Sequence, residues 1–379
     1  MEKPIYLDYN ATTPVDTEVV NEMIPFIQSY FGNPSSSYDI GRTSKEAIIK
    51  ARKQVASLIN AKPEEIVFTS CATESNNLAI HGFILANKDK GKHIITSAVE
   101  HPAVTEVCKY LTTLGYEITY LPVDNFGKVN PENVEKAIRP DTALITIMHA
   151  NNEVGTIQPI SEIATIAKKN NIAFHTDASQ SVGKIEADVT KLGVDLLTIA
   201  GHKLYAPKGI GALYIKQGTK IENLLHGASQ EKGIRPGTEN VIHIVGLGKA
   251  CEIAQRDFDK NSLNMLLMRD SLLNGLKNNL GEQVTVNVNL KNCLPNTLSV
   301  AFDKVEAHTL ASVISKDIFI STGSACHADS TEISSVLKAM NIDIKKAAGT
   351  VRISTGKFTT MEEIDHAVEI ISDAVLKLS

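Results

Sequence analysis

Two short apolar runs in the sequence end in side chains that can do chemistry together. One run ends at Asp177 and the next ends at Lys203. Both are rich in β-branched residues, as in strands buried on both faces of a parallel sheet, and open α/β sheets bind ligands where such strands end. A carboxylate and an amine at that edge suit pyridoxal phosphate, whose aldehyde takes a lysine and whose ring nitrogen takes an anion. For either residue alone, a solvated loop charge is the competing interpretation.

Two further polar clusters belong with this pair if such a cofactor binds. Residues 69–77 follow a predicted strand and open a helix, so the turn at Ala72 and Thr73 can hold a phosphate with help from the helix dipole. An ordinary helix cap is the alternative there. His101 precedes Pro102 at the start of the next helix, and beside a cofactor its imidazole can act as an acid or base, although a structural role is the commoner one.

A second chemical centre lies in residues 321–333. Small and polar residues surround Cys326, and no apolar periodicity is present, which predicts an exposed flexible loop carrying a thiol. An incidental surface cysteine is the alternative. The other four cysteines lie in or beside helix-like or turn segments and fit core packing: Cys71, Cys108, Cys251 and Cys293.

The elements that must position these residues alternate between strands and helices from about residue 43 to 215, which predicts βαβ units and a mainly parallel sheet. The seven strand candidates are 65–69, 94–96, 118–121, 144–148, 172–177, 194–200 and 211–215. The helix candidates are 43–59, 74–88, 102–114, 132–138 and 161–170.

After residue 240 the pattern changes to long helices with few strands. Helices are predicted at 241–258, 262–280, 306–316 and 360–378, with strands at 283–288 and 297–302. We therefore expect an α/β protein with a large domain over residues 16–255. A smaller α+β domain would combine residues 1–15 with residues 256–379.

Composition excludes several classes of protein. The 379 residues carry a net charge of −5, without a basic stripe that would neutralise nucleic-acid phosphates. No signal-peptide core and no run of eighteen apolar residues is visible, so we expect a cytoplasmic protein that does not enter a membrane. Five widely spaced cysteines match neither a secreted disulfide framework nor a zinc motif, so no metal site is expected.

The motifs resemble, over nearly the whole chain, those of the cysteine desulfurases of the nitrogen-fixation and iron–sulfur-assembly type and the related selenocysteine lyases. These form part of the class V aminotransferase group, which implies a fold type I architecture. The matching segments are 7–14, 31–36, 72–77, 99–102, 150–155, 175–180, 201–203, 235–240, 294–297, 323–326 and 351–352.

The resemblance implies a role for each matching residue. Lys203 would be the Schiff-base lysine, and Cys326 the nucleophile that takes the sulfur. The remaining cofactor contacts would be Ala72, Thr73 and His202 at the phosphate, Asp177 at the ring nitrogen, Gln180 at the ring hydroxyl, His101 stacked on the ring, and Asn152. Thr238 would reach the phosphate of a neighbouring subunit, which implies a homodimer. Arg352, Asn152 and Asn33 would orient the substrate.

The implied activity is conversion of L-cysteine to L-alanine, with the sulfur carried as a persulfide on Cys326 to an acceptor or scaffold protein for iron–sulfur cluster assembly or thio-modification. Two alternatives stay open. One is a selenocysteine lyase, which acts on L-selenocysteine, because the segment 327–329 resembles that of these enzymes. The other is an inactive scaffold homologue. Departures from the family pattern are Ala200 in place of a serine, and Ala228 and Ser229 in place of glycines.

Overall fold

A computed structural model describes residues 4–322 and 333–379 of the chain. Its helices, labelled in chain order, are α1 (Thr17–Gln28), α2 (Asp39–Leu58), α3 (Ala72–Asn77), α4 (Phe83–Ala86), α5 (Pro102–Thr113), α6 (Pro131–Ala137), α7 (Ile160–Lys169), α8 (Val189–Leu192), α9 (Val241–Arg256), α10 (Phe258–Leu280), α11 (Ala307–Ile314), α12 (Ser335–Ala339), α13 (Ile344–Ala348) and α14 (Met361–Leu378). Its strands are β1 (Ile5–Tyr6), β2 (Ile66–Thr69), β3 (His93–Ser97), β4 (Glu117–Leu121), β5 (Thr142–Thr146), β6 (Ala173–Asp177), β7 (Leu196–Ala200), β8 (Gly211–Ile215), β9 (Val284–Val286), β10 (Thr297–Phe302), β11 (Ile318–Phe319), β12 (Ser321–Thr322) and β13 (Thr350–Ser354).

The predicted seven-stranded sheet is present, in the order β2-β8-β7-β6-β5-β3-β4. Strands β3 to β7 run parallel to one another, whereas β8 is antiparallel to both β7 and β2. The helices between the strands cover both faces, which is why the strands read as continuous apolar runs. The mainly parallel sheet expected from the sequence is therefore confirmed.

Alternate residues of the central strands enter two separate cores. Ile95, Ile145 and Phe174 pack on one face of the sheet. Their neighbours Ile94 and Leu144 pack on the other face with helix α5. Because side chains alternate along a strand, one register serves both cores, and the carboxyl ends of β6 and β7 are fixed relative to each other.

A second sheet, in the order β12-β13-β10-β9, is antiparallel and packs against α10, α11 and α14. The N-terminal strand β1 pairs with β11, and Leu7 is buried in the core of this second layer. The expected association of the first residues with the C-terminal part of the chain is thus seen in these contacts. The boundaries 16–255, 1–15 and 256–379 stay a prediction.

Several elements have no counterpart among the sequence-based expectations, among them α1 and β13. Helix α1 contains Pro25 and is capped by Asp16, whose carboxylate accepts from the Glu18 backbone N–H at 2.7 Å. Strand β13 is fully buried and lies centrally in the second sheet. A proline inside a helix and a strand only a few residues long both weaken the periodic signal on which recognition depends.

Two buried histidines link strands of the large sheet through their side chains. The His93 ring lies 2.8 Å from Thr142 Oγ1 and 2.8 Å from Thr119 Oγ1, which joins β3 to both of its neighbours. The His175 ring makes the same kind of bridge from β6 to Thr146 and Thr198. Burial lowers the pKa of both imidazoles, so both are neutral in the folded protein near pH 7.

In the two described ranges, no helix combines the length and apolar character needed to cross a bilayer.

We expect His93→Leu to destabilise the protein at pH 7.5 by about 1–3 kcal/mol, because the hydroxyls of buried Thr142 and half-buried Thr119 lose a partner. The difference from wild type should shrink at pH 5. The unfolded chain gains a proton on His93 below pH ~6.5 while the folded state resists it, so the wild type alone loses stability there. Urea unfolding followed by circular dichroism at both pH values measures this.

The matched control is His366→Leu, since His366 is exposed on α14. It should change the unfolding free energy by no more than about 0.5 kcal/mol. A His93→Leu difference that is the same at pH 7.5 and pH 5 would contradict the assignment of a neutral bridging imidazole.

Candidate active site

A cavity of about 610 Å³ opens where strands β6 and β7 end and helices α3 and α5 begin. It brings together the following residues predicted from the sequence: Ala72, Thr73, His101, Asn152, Asp177, Gln180, His202, Lys203 and Arg352. Carboxyl ends of neighbouring parallel strands meet at one edge, so this convergence follows from the sheet itself.

Asp177 is the last residue of β6 and is buried. One carboxylate oxygen accepts from the Asn76 amide at 2.7 Å, and the other accepts from the Ser179 backbone N–H at 2.9 Å. These donors fix the orientation of the carboxylate. An oriented anion is thereby held at the wall of the cavity.

Lys203 ends a single 3₁₀ turn, Gly201–Lys203, that follows β7 directly. Its Nζ donates to the carbonyl oxygen of Asn10 and, at 2.6 Å, to that of Ala11. Gly201 is required here, because a Cβ would lie 2.8 Å from the carbonyl oxygen of Ile210. The amine is thus presented on a close-packed turn, as the proline and glycines after it predict.

The turn before α3 is built for close approach. A Cβ at Gly211 would lie 2.8 Å from the carbonyl carbon of Cys71, so glycine lets this turn pack against β8. Glu74 caps the turn by accepting from the Ser70 N–H at 2.6 Å, and it is held by Arg235 at 2.8 Å. The backbone N–H groups that open a helix lack helical partners, so the turn at Ala72 and Thr73 offers donors to an anion.

His202 lies beside this turn and is anchored to the N-terminal segment. Its Nδ1 is 3.2 Å from Thr12 Oγ1, and its carbonyl oxygen accepts from Thr13 N–H at 3.0 Å. Burial, together with the charges of Lys203 and Lys208, lowers the pKa of its imidazole to about 4. The ring is therefore neutral and can donate one hydrogen bond while accepting another.

His101 is the N-cap of α5, and its Nδ1 accepts from the Ala103 N–H at 3.1 Å. Its side chain is accessible from the cavity, while the surrounding protein desolvates it. That desolvation lowers the pKa of the imidazole, and the Asp177 carboxylate acts in the opposite direction. A neutral imidazole with Nδ1 occupied can exchange a proton through Nε2.

Arg352 comes from the second sheet and enters the same cavity. Its guanidinium donates to the Asn152 carbonyl oxygen at 3.0 Å and to the Asp8 carboxylate at 2.7 Å. Its Nε is buried and has no hydrogen-bond partner among the described residues. A buried donor left unpaired costs free energy, so the side chain is suited to receive a further acceptor such as a carboxylate.

These groups fit pyridoxal phosphate. The set combines an amine, an oriented carboxylate, a helix start suited to phosphate and a neutral histidine. The buried Ser179 hydroxyl also lines the cavity and has no hydrogen-bond partner within residues 4–322 and 333–379. A ligand that brings acceptors to this wall would satisfy that hydroxyl.

Two of the described residues among those predicted, Thr238 and Asn33, do not line the cavity. Thr238 and Asn33 are exposed on the surface, and the Asn33 side chain accepts from the Ser35 N–H at 2.9 Å. Cys326 lies outside the described residues, as does the loop predicted around it. The residues that flank the segment 323–332, namely Thr322 and Ile333, both line the cavity.

The departures at Ala200, Ala228 and Ser229 have different outcomes. Ala200 lines the cavity and adds no hydrogen-bonding group there. Ala228 and Ser229 do not adopt positive φ, so the missing glycines impose no strain at these positions. Positive φ occurs just downstream at Glu231, with φ 45°, and at Lys232, with φ 60°.

Sequence reasoning missed several polar residues that support the site. Asn10 is 1% exposed and bonds to Gln180, Lys203 and Thr297. Glu100 is buried at the cavity wall, and burial raises the pKa of its carboxyl to about 8. Asn10 and Asn76 both lie in recognised motifs, but their partners are distant in sequence, and no local pattern indicates such contacts.

Comparison with known proteins places the chain in a family. The aminotransferase class-V family model matches residues 5–367. A relative from Dictyoglomus turgidum named cysteine desulfurase IscS is 48% identical over 379 residues, covering 100% of this chain and 96% of its own. A relative of the same name from Methanosarcina thermophila is 49% identical over 99% of this chain and 93% of its own.

Solved structures agree with these sequence matches. A NifS-like protein superposes with a TM-score of 0.93 at 41% identity, over 99% of this chain and 100% of that one. A structure described as SspA in complex with cysteine superposes with a TM-score of 0.82 at 38% identity, over 94% of this chain and 100% of that one. The chain therefore belongs to the class-V aminotransferase family and, within it, to the cysteine desulfurases.

Proposed function

We propose that this protein is a pyridoxal-phosphate-dependent cysteine desulfurase that converts L-cysteine to L-alanine and carries the sulfur as a persulfide on Cys326. The observation that supports this most strongly is the single cavity that joins the Asp177 carboxylate, the Lys203 amine and the Arg352 guanidinium. The relatives named cysteine desulfurase support the same substrate.

In this proposal each wall of the cavity holds one part of the cofactor. Ala72, Thr73 and His202 bind the phosphate, and Asp177 pairs with the ring nitrogen. Gln180 contacts the ring hydroxyl, while His101 lies against the ring. Asn152 is the remaining proposed cofactor contact. When bound, the cofactor supplies an electron sink for the pair released at the substrate Cα.

The substrate is held by its carboxylate. The Arg352 Nε has no hydrogen-bond partner within residues 4–322 and 333–379, and the Asp8 carboxylate holds another nitrogen of the same guanidinium. Asn152 lies on the same wall, since its carbonyl oxygen accepts from Arg352. Asn33 is exposed and would assist only if the bound state brings it to the cavity. A fixed carboxylate orients Cα for loss of its proton.

Lys203 then acts as the base. Once its amine is released, it can take the Cα proton, and its two backbone acceptors at Asn10 and Ala11 hold the ammonium that results. His101, with Nδ1 occupied by the Ala103 N–H, exchanges protons through Nε2. In this proposal Lys203 serves Cα, and His101 exchanges the protons of the substrate thiol and of Cβ.

The sulfur moves to Cys326 in one displacement. The thiolate attacks the substrate sulfur, and the new S–S bond forms as the Cβ–S bond breaks. The electron pair left on Cβ takes a proton to give a methyl group, and Cα takes back the proton held by Lys203 to give alanine. The Cys326 persulfide is then passed to an acceptor or scaffold protein for iron–sulfur cluster assembly or thio-modification. The four described cysteines are free thiols, in keeping with a cytoplasmic site of action.

A homodimer is the proposed assembly. One face of α1 leaves Val20, Ile24 and Ile27 exposed, and Phe31 and Tyr38 continue the apolar surface with 74% and 57% exposure. Helical spacing puts the three α1 residues on one stripe, and exposed apolar patches of this kind mark subunit contacts. Exposed Thr238 is then free to reach the phosphate of a neighbouring subunit.

Cys326→Ala should abolish release of alanine and sulfur from cysteine, because no other group is proposed to accept the sulfur. The visible absorption of the bound cofactor should stay, since Cys326 is not among the cofactor contacts. Alanine formation with a reducing thiol measures the first property and absorbance the second.

The control is Cys251→Ala, a buried cysteine of α9 remote from the cavity, which should retain turnover. Turnover that survives in Cys326→Ala would rule out the persulfide route. A strong preference of the wild type for selenocysteine over cysteine would change the substrate and leave the cofactor roles intact.

Arg352→Lys should raise KM for cysteine about tenfold or more, which corresponds to a loss of at least ~1.4 kcal/mol of binding. The planar guanidinium of arginine can bind the Asp8 carboxylate, the Asn152 carbonyl oxygen and a substrate carboxylate at the same time. The single ammonium of lysine lacks this geometry and cannot hold all three. Steady-state kinetics measure KM and kcat.

The control is Arg139→Lys, because Arg139 forms an exposed ion pair with Glu117. Equal KM values in the two variants would refute the proposed binding of the substrate carboxylate by Arg352.

Ile27→Asp combined with Phe31→Asp should convert the protein to monomers, because two charges would be buried in the proposed interface. Light scattering after size-exclusion chromatography measures the mass. Val313→Asp places the same charge on α11 at a residue 56% exposed and should leave the dimer intact. A double variant that keeps the dimer mass would place the interface elsewhere.

A further inference from the structure

Lys184 is a buried lysine at the back of the active site. It is 4% exposed, and within the described ranges it makes no salt bridge. Its Nζ donates to two amide oxygens, Gln180 Oε1 at 3.1 Å and Asn10 Oδ1 at 3.4 Å. Burying an amine without a carboxylate is costly, so its retention calls for a function.

The first effect of Lys184 is on the orientation of Gln180. The Gln180 amide oxygen faces Lys184, and its Nε2 donates to the Asn10 backbone carbonyl at 3.0 Å. Both contacts exclude the flipped orientation of the Gln180 amide. A flip would place its N–H groups against the Lys184 amine and its oxygen against the Asn10 carbonyl oxygen. The second Nε2–H of Gln180 is thereby left as a donor at the cavity wall.

The second effect concerns Asn10, which is held from both sides. Its side-chain oxygen accepts from Lys184 and, at 2.9 Å, from the Asn296 amide, while its own amide nitrogen donates to Thr297 at 2.8 Å. The backbone carbonyl of the same residue accepts from both Gln180 and Lys203. Lys184 therefore helps to fix the acceptor on which the active-site amine rests.

The third effect is electrostatic. Burial, followed by the charges of Lys203 and Arg352, lowers the pKa of the Lys184 amine to about 7. A cavity of about 20 Å³, room for one water, is lined by both Lys184 and Lys203. Repulsion between two amines is mutual, so a proton on Lys184 disfavours a proton on the Lys203 nitrogen.

We propose that Lys184 is a positioning residue, which acts through Gln180 and Asn10 to keep an amide N–H donor facing the cofactor and disfavours a proton on Lys203. The proposal rests on the proposed function, because Gln180 and Lys203 are its readouts. No contact of Lys184 with substrate or cofactor is required.

The test is a pH titration of the visible absorption of the holoenzyme, comparing wild type with Lys184→Met. Methionine matches the length of the lysine stem and fits an apolar environment. Loss of the cation and of the fixed amide donor both let the Lys203 nitrogen hold its proton to higher pH. The midpoint should rise by about half a pH unit or more. Lys191→Met, an exposed lysine on α8, should titrate as wild type.

A second background separates positioning from charge. The second background is Gln180→Ala, in which Lys184→Met is added as a second change. Because alanine has no amide oxygen, the double variant does not bury an unpaired acceptor at residue 180. The midpoint shift caused by Lys184→Met should be smaller in this background than in the wild-type background, because the effect through Gln180 has already been removed. Cofactor content and circular dichroism confirm that each variant is loaded and folded.

Two outcomes overturn the proposal: an unchanged midpoint in Lys184→Met, or an equal shift in both backgrounds. With either outcome the proposed function still stands, provided that the wild type shows the visible absorption of the bound cofactor and turns over cysteine. A wild type that neither binds pyridoxal phosphate nor turns over cysteine would instead remove the proposed function itself.

Discussion

The backbone carbonyl of Asn10 is the acceptor on which the site depends. It takes hydrogen bonds from Gln180, which follows β6, and from Lys203, which follows β7. The same residue is tied by its amide N–H to Ser354 Oγ at 2.9 Å in the second sheet. Asn10 therefore connects the ends of two neighbouring strands of the large sheet with the layer that carries Arg352.

This constraint explains why the site lies between two sheets. The large sheet alone supplies an anion, an amine and a helix start, which is enough to bind a cofactor. The Arg352 guanidinium, which we propose binds the substrate carboxylate, comes from β13 and donates to the Asn152 carbonyl oxygen, while Asp8 pairs with it from residues 4–13. The proposed cofactor contacts and the proposed substrate contact thus come from different sheets, and residues 4–13 connect the two.

Much of this could be read from the sequence, for identifiable reasons. Strands β3 and β5 to β8 are buried along their whole length and are largely apolar, and Asp177 and Lys203 stand where two of them end, so both fold and anchor residues leave local signals. Asn10, Glu100 and Lys184 leave none, because a buried asparagine or lysine is defined by partners far away in sequence. Arg352 and Thr238 were assigned through resemblance alone, since β13 is short and residue 238 lies in a loop.

The charges of the site also constrain how it is occupied. Lys184, Lys203 and Arg352 converge from three elements, and the carboxylates of Asp177 and Asp8 are already engaged by Asn76 and Arg352. Positive charge in a partly buried cavity is relieved by anions, and the cofactor phosphate and the substrate carboxylate are both anionic. Ligand binding should therefore stabilise the folded state beyond the contacts that it makes, since ligand that binds only the native state shifts the unfolding equilibrium. In the proposed mechanism these cations repel a proton on Lys203 and so favour the neutral amine that can accept one, which would let recognition and catalysis use one electrostatic arrangement.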